Sequence, residues 1–125
     1  MQVALTVTQM LVRITGVVLL ILGLLIWAEG MRDLVFAHTI LGLVFVISLW
    51  LFAVVAGRLG APVGLAAGVG VLGLIVVWLG MTQNGLLPGS SHWVIQILHL
   101  LVGMSAVGMA EALGGRLRRI RFAHA

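Results

Sequence analysis

Apolar residues run along this chain in four long blocks, and short polar breaks separate them. The blocks cover about 8–28, 32–56, 62–80 and 91–113. A helix that crosses a bilayer needs roughly 20 mostly apolar residues, and each block is close to that length. The breaks carry turn chemistry. Glu29-Gly30-Met31-Arg32-Asp33 is a tight polar turn, and Gly57-Arg58-Leu59-Gly60-Ala61-Pro62 is a second, with proline at a first helical turn. The longest connection runs from Thr82 to Ser91, where Ser90 and Ser91 are placed to cap the fourth helix. The pattern predicts an all-α protein: an integral membrane four-helix bundle of up-down-up-down topology. Residues 1–125 then form a single transmembrane domain that ends in a basic tail over 114–125.

Composition strengthens this picture. The chain is 62% hydrophobic and 8% charged, whereas soluble domains are roughly half apolar and a quarter charged. The lipid bilayer is therefore the expected solvent and first partner. The net charge of +4 does not point to nucleic acid, because four of the seven arginines (Arg116, Arg118, Arg119 and Arg121) follow directly on the last apolar block. Such a tail sets topology and meets lipid headgroups. Arg13, Arg58 and the tail fall on one side of a four-span chain, which places both termini in the cytoplasm and the protein in the cell (inner or plasma) membrane. The N-terminus has no basic stretch before a short apolar run, so it reads as a first spanning helix and not as a cleaved signal. A homo-oligomer or a place in a larger membrane complex is left open by the sequence.

A weak internal repeat runs through the chain. Gly16 and Gly23 recur as Gly73 and Gly80, His38-x-x-x-Gly42 recurs as His99-x-x-x-Gly103, and Arg58 recurs as Arg119. Two helix pairs in parallel orientation imply a pseudo-two-fold axis along the membrane normal. Chance is the competing explanation, since a glycine-rich chain offers many glycine matches.

Ionisable residues inside a membrane are costly, so each is a candidate for function. His38 and His99 lie within the second and fourth blocks. At 1.5 Å per residue they sit roughly 9 Å and 12 Å below the outer surface. The second and fourth helices of such a bundle are diagonal neighbours, so the two imidazoles can face one another. At 100° per residue, His92, Gln96, His99 and Gly103 share one face of the fourth helix. Gly42 and Gly103, one turn below the histidines, leave room for a flat, bulky group. Gly16, Gly23 and Gly30, at a period of seven, and Gly73 and Gly80 are further candidates to line a cavity, while Gly64-x-x-x-Gly68 reads as helix packing.

The donor set narrows the chemistry. Zinc in a closed site takes four ligands and calcium takes oxygen, whereas two imidazoles suit the axial positions of a b-type haem. Its carboxylates would then point outward, toward Arg32, His92, Trp93 and the Gln83-Asn84 loop. Two plainer readings stand beside this one. The histidines could form a structural polar pair, bonded to each other or to carbonyl groups, or they could belong to a proton relay. His92 is placed for contact near the outer surface, and His124 lies in the tail with no evident role. Glu111 is placed to pair with Arg13 or Arg58. The four tryptophans, Trp27, Trp50, Trp78 and Trp93, read as interface anchors. The absence of cysteine excludes disulfides, iron–sulfur clusters and covalent c-type haem.

The segments His38-Thr39-Ile40-Leu41-Gly42-Leu43 and His99-Leu100-Leu101-Val102-Gly103-Met104 resemble those of membrane b-type haem proteins. The chain is similar in topology to one four-helix half of haem A synthase. That resemblance implies His38 and His99 as the axial pair. The chain departs from the family in having one such half, and Glu29 is only a positional match for a catalytic glutamate. Four-helix di-haem cytochromes b are a weaker resemblance, since no histidine occupies the inner half. The expected function is electron transfer or haem handling with one haem b per chain, and an oxidoreductase role stays open. The alternatives are a non-enzymatic accessory subunit with structural histidines and a small transporter or proton pathway.

Overall fold

The computed structural model describes residues 1–123 and is helical almost throughout. Its helices are α1 (Gln2–Ala28), α2 (Val35–Arg58), α3 (Val63–Thr82) and α4 (His92–Ala123). Single 3-10 turns occupy Arg32–Leu34 and Gln83–Gly85 in two of the connections. All four helices are long and apolar enough to cross a membrane. Hydroxyl side chains do not interrupt them, because each turns back on its own helix. Thr8, Thr15, Ser48 and Ser105 donate to the carbonyls of Ala4, Leu11, Val44 and Leu101 at 2.6–2.8 Å. A donor satisfied in this way can enter an apolar setting at little cost.

Helix ends follow local chemistry. Beyond α1, Gly30 has φ +66° and Met31 N–H returns to the Leu25 carbonyl; beyond α2, Gly60 has φ +95° and Ala61 N–H returns to Ala56. A left-handed residue is needed to close each helix this way, and glycine takes it without strain. The start of α4 differs from expectation: it is closed through the backbone, by His92 N–H to Gly89 and Val94 N–H to Ser91, and not by a serine side chain.

Two boundaries also differ. α1 begins at Gln2 and not near Thr8, and α4 continues past Leu113 to Ala123. The 114–123 part of the basic tail is therefore helix. Leu113, Gly114 and Leu117 are all buried and continue the inward row of α4, while arginine is a good helix former that leaves the outward faces polar.

α1 packs on α2, α2 on α3, α3 on α4, and α4 closes on α1. The two diagonals are unequal. α2 and α4 touch across the bundle, whereas no Cα of α1 comes within 8 Å of one in α3. The main buried cluster lies at the end where the chain starts and Arg58 and Arg116 lie, and at the other end Leu79 and Ile95 are buried outside it. The cluster is formed by Val12 of α1, Phe45, Leu49, Phe52 and Ala56 of α2, Val69 of α3, and Ala106, Ala110, Leu113 and Leu117 of α4. Toward the other end no residue from 16 to 44 is buried, and none from 96 to 105. The histidines lie in this loosely packed half.

Trp50 is not an interface anchor at a helix end. Its Nε1 donates to the Gly70 carbonyl of α3 at 3.1 Å, and a Cβ added at Gly73 would lie 2.6 Å from that nitrogen. Gly73→Ala should therefore force α2 and α3 apart and cost about 1–3 kcal/mol, as overpacking does. Gly64→Ala, with open space at its Cβ, should be neutral or slightly stabilising. Thermal unfolding in detergent, followed by circular dichroism, checks the contrast.

Candidate cofactor site

Each histidine heads the inward row of its helix. On α2, His38 is followed at seven-residue intervals by Phe45 and Phe52; on α4, His99 is followed by Ala106 and Leu113. Seven residues bring a helix back to within about 20° of the same direction. The four lower residues are all 0–2% exposed, so the row points into the bundle and carries the histidines with it. Gly42, Leu49 and Ala56 on α2 correspond in the same way to Gly103, Ala110 and Leu117 on α4. On α1 and α3, Val12 and Val69 correspond, and both are fully buried.

The two rows meet at the top. The rings of His38 and His99 have centroids 6.3 Å apart and planes inclined at 57°. Both Nδ1 atoms are buried without a hydrogen-bond partner. A structural polar pair would have its ring nitrogens satisfied, by each other or by carbonyl groups. Among the described residues no hydrogen bond joins these rings to one another. An unpartnered buried polar atom costs about 1–3 kcal/mol, so the arrangement is expensive unless something binds it.

Glycine lets the rings sit where they do. A Cβ added at Gly23 of α1 would lie 3.4 Å from His38 Cε1, and one added at Gly80 of α3 would lie 3.3 Å from His99 Cε1. These are the glycines that pack on the imidazoles. Gly42 and Gly103 do something else: a Cβ added at either meets nothing within 4 Å. Both lie one helical turn from the histidines on the core side, and a side chain at either would be unobstructed.

The remaining candidates stand higher. His92 is half-buried at the start of α4, with Nδ1 3.2 Å from the Leu86 carbonyl, and so holds the connection to the helix. Gln96 is half-buried one turn below it. Arg32 is exposed on its 3-10 turn at the same end of the bundle. The structure thus brings His38 and His99 together but leaves Arg32 in the surface turn. His124 lies outside the described residues.

Among the described residues, no group of three or more His, Cys, Asp or Glu side chains is placed to hold a metal ion.

At the opposite end, Glu111 pairs with Arg13 and not with Arg58. The guanidinium forks onto the carboxylate, Nε to Oε1 at 2.6 Å and Nη2 to Oε2 at 2.7 Å. Gln9 donates to Glu111 at 3.4 Å and accepts from Arg118 at 3.3 Å. Sequence reading missed Gln9 and Arg118, whose partnership depends on the helical continuation of α4.

Comparison of the chain with protein-family models, curated proteins and solved structures finds no match.

Larger side chains at the two packing glycines should displace the rings. Gly23→Val and Gly80→Val are each expected to move the imidazole NMR signals of both His38 and His99, because the rings adjoin. Gly64→Val should move neither.

Proposed function

We propose that this chain is a membrane b-type haem protein, with one haem held between His38 and His99, acting in electron transfer or haem handling. The observation that carries the reading is the imidazole pair itself. Two rings on facing helices stand 6.3 Å apart with buried nitrogens unpartnered, in the half of the bundle where the core is not closed. The absence of any side chain facing the Cβ positions of Gly42 and Gly103 supports a bulky group beside them. Gly23 and Gly80 set the ring positions. A haem iron held by two imidazoles carries one electron between its ferric and ferrous forms. The protein's own part is to keep both imidazoles neutral and opposed, and to surround them with apolar side chains that exclude water. Arg32, His92 and Gln96, at the same end of the bundle, are suited to meet carboxylate groups at the surface.

The matched helix faces support two parallel two-helix repeats, since His38 on Gly23 and His99 on Gly80 are equivalent contacts. The four long apolar helices support a multi-pass membrane protein. Six of the seven arginines fall at the end away from the histidines, and arginine excess marks the cytoplasmic side. Both termini are then cytoplasmic, and electrons or ligand exchange at the outer surface.

Two expected outcomes test this reading. Detergent-purified protein should show reduced-minus-oxidised absorption bands of six-coordinate b haem. His38→Ala and His99→Ala should each lose them, His92→Ala should keep the haem with an altered potential, and His124→Ala should change nothing. A colourless protein that takes up no added haemin would rule the proposal out. For orientation, alkaline phosphatase fused after Ala125 should be inactive and an insertion near Asn84 active; the reverse pattern would turn the site toward the cytoplasm.

A further inference from the structure

The chain has three carboxylate side chains, Glu29, Asp33 and Glu111. Glu29 and Asp33 lie at the histidine end, and Glu111 is taken by the Arg13 fork. Arg116 and Arg119 therefore have no carboxylate partner among the described residues.

Helix geometry decides where these two charges go. Because α4 continues to Ala123, its residues separate onto distinct flanks. Leu113 and Leu117 are buried, and Arg118 turns toward Gln9 of α1. Arg116 and Arg119, three residues apart, lie on one flank together, about 60° from each other around the axis. Two shallow clefts adjoin this pair. One is formed by Ala112, Gly115 and the two arginines. The other adds Pro62, from the connection between α2 and α3, and Ile120. Each cleft combines the same two guanidiniums with small or apolar surface.

We propose that Arg116 and Arg119 bind an anionic lipid headgroup carrying two phosphates, one phosphate in each cleft. Guanidinium matches phosphate oxygens with paired hydrogen bonds, and basic pockets between helices at the cytoplasmic face suit such headgroups. Ala112 and Gly115 leave a smooth strip leading up α4 on which an acyl chain can lie. Pro62 and Ile120 supply the apolar wall of the second cleft. The site rests on the membrane reading and is independent of the haem.

Native mass spectrometry of the full chain in detergent tests this, using a diphosphatidyl lipid, phosphatidylglycerol, phosphatidylcholine and inorganic pyrophosphate as probes. The diphosphatidyl lipid should bind one per chain and more tightly than phosphatidylglycerol. The Arg116→Gln/Arg119→Gln double variant should weaken it about twentyfold or more, roughly fivefold per arginine. Arg116→Lys/Arg119→Lys should fall between, and Arg121→Gln should cost less than the roughly fivefold step of one site arginine. Equal losses from Arg121→Gln and from the double variant would overturn the site, since they would mean diffuse attraction. Equally tight binding of pyrophosphate would overturn the lipid assignment. Every variant should still float with phosphatidylcholine vesicles and keep its helical circular dichroism. If the wild type failed to float, the membrane reading would fall; if it floated without lipid selectivity, this site alone would fall.

Discussion

The contact of α2 with α4 across the bundle governs the rest of the molecule. α2 brings Phe45, Leu49 and Phe52 to the common core, and α4 brings Ala106 and Ala110. Large side chains on one helix and small ones on the other let the two helices approach along a diagonal that square bundles keep open. The approach excludes α1 from α3. Extended upward by whole turns, the same two rows set His38 beside His99. The packing that stabilises one end thus positions the chemistry at the other.

The two ends serve different physical purposes. At the arginine end, fully buried residues from all four helices form one cluster, and close packing of such residues favours a single well-defined arrangement. At the histidine end the inward rows are only half-buried, and two ring nitrogens have no partner. Loose packing and unpaired polar atoms both cost free energy, and their occurrence in one place is what supports the proposed site there.

Much of this was legible in the sequence, for reasons that particular residues make plain. Four long apolar blocks allow few folds but helices, since every backbone group must be satisfied within its own segment. A histidine in such a block is conspicuous, so His38 and His99 stood out, and periodicity placed His99 with Gly103. Helical periodicity reports which residues share a face of their own helix. It does not report which residue of a neighbouring helix stands opposite. Gly23 and Gly80 are therefore legible as candidates to line a cavity, but not as the glycines that pack on His38 and His99. Trp50 shows the same limit, because its partner Gly70 is set by the register of α3 on α2. The length of α4 was concealed for another reason. Its arginines resemble a solvated tail, although Leu113 and Leu117 continue the buried row beneath them.

The central claim is that His38 and His99 together hold one haem iron. Titration of the purified chain with ferric haem, followed by electron paramagnetic resonance, tests it most directly. The account predicts saturation at one haem per chain with a low-spin, six-coordinate signal, converted to high-spin or lost when either histidine is replaced by alanine. No uptake, or a low-spin signal that survives both replacements, would contradict it.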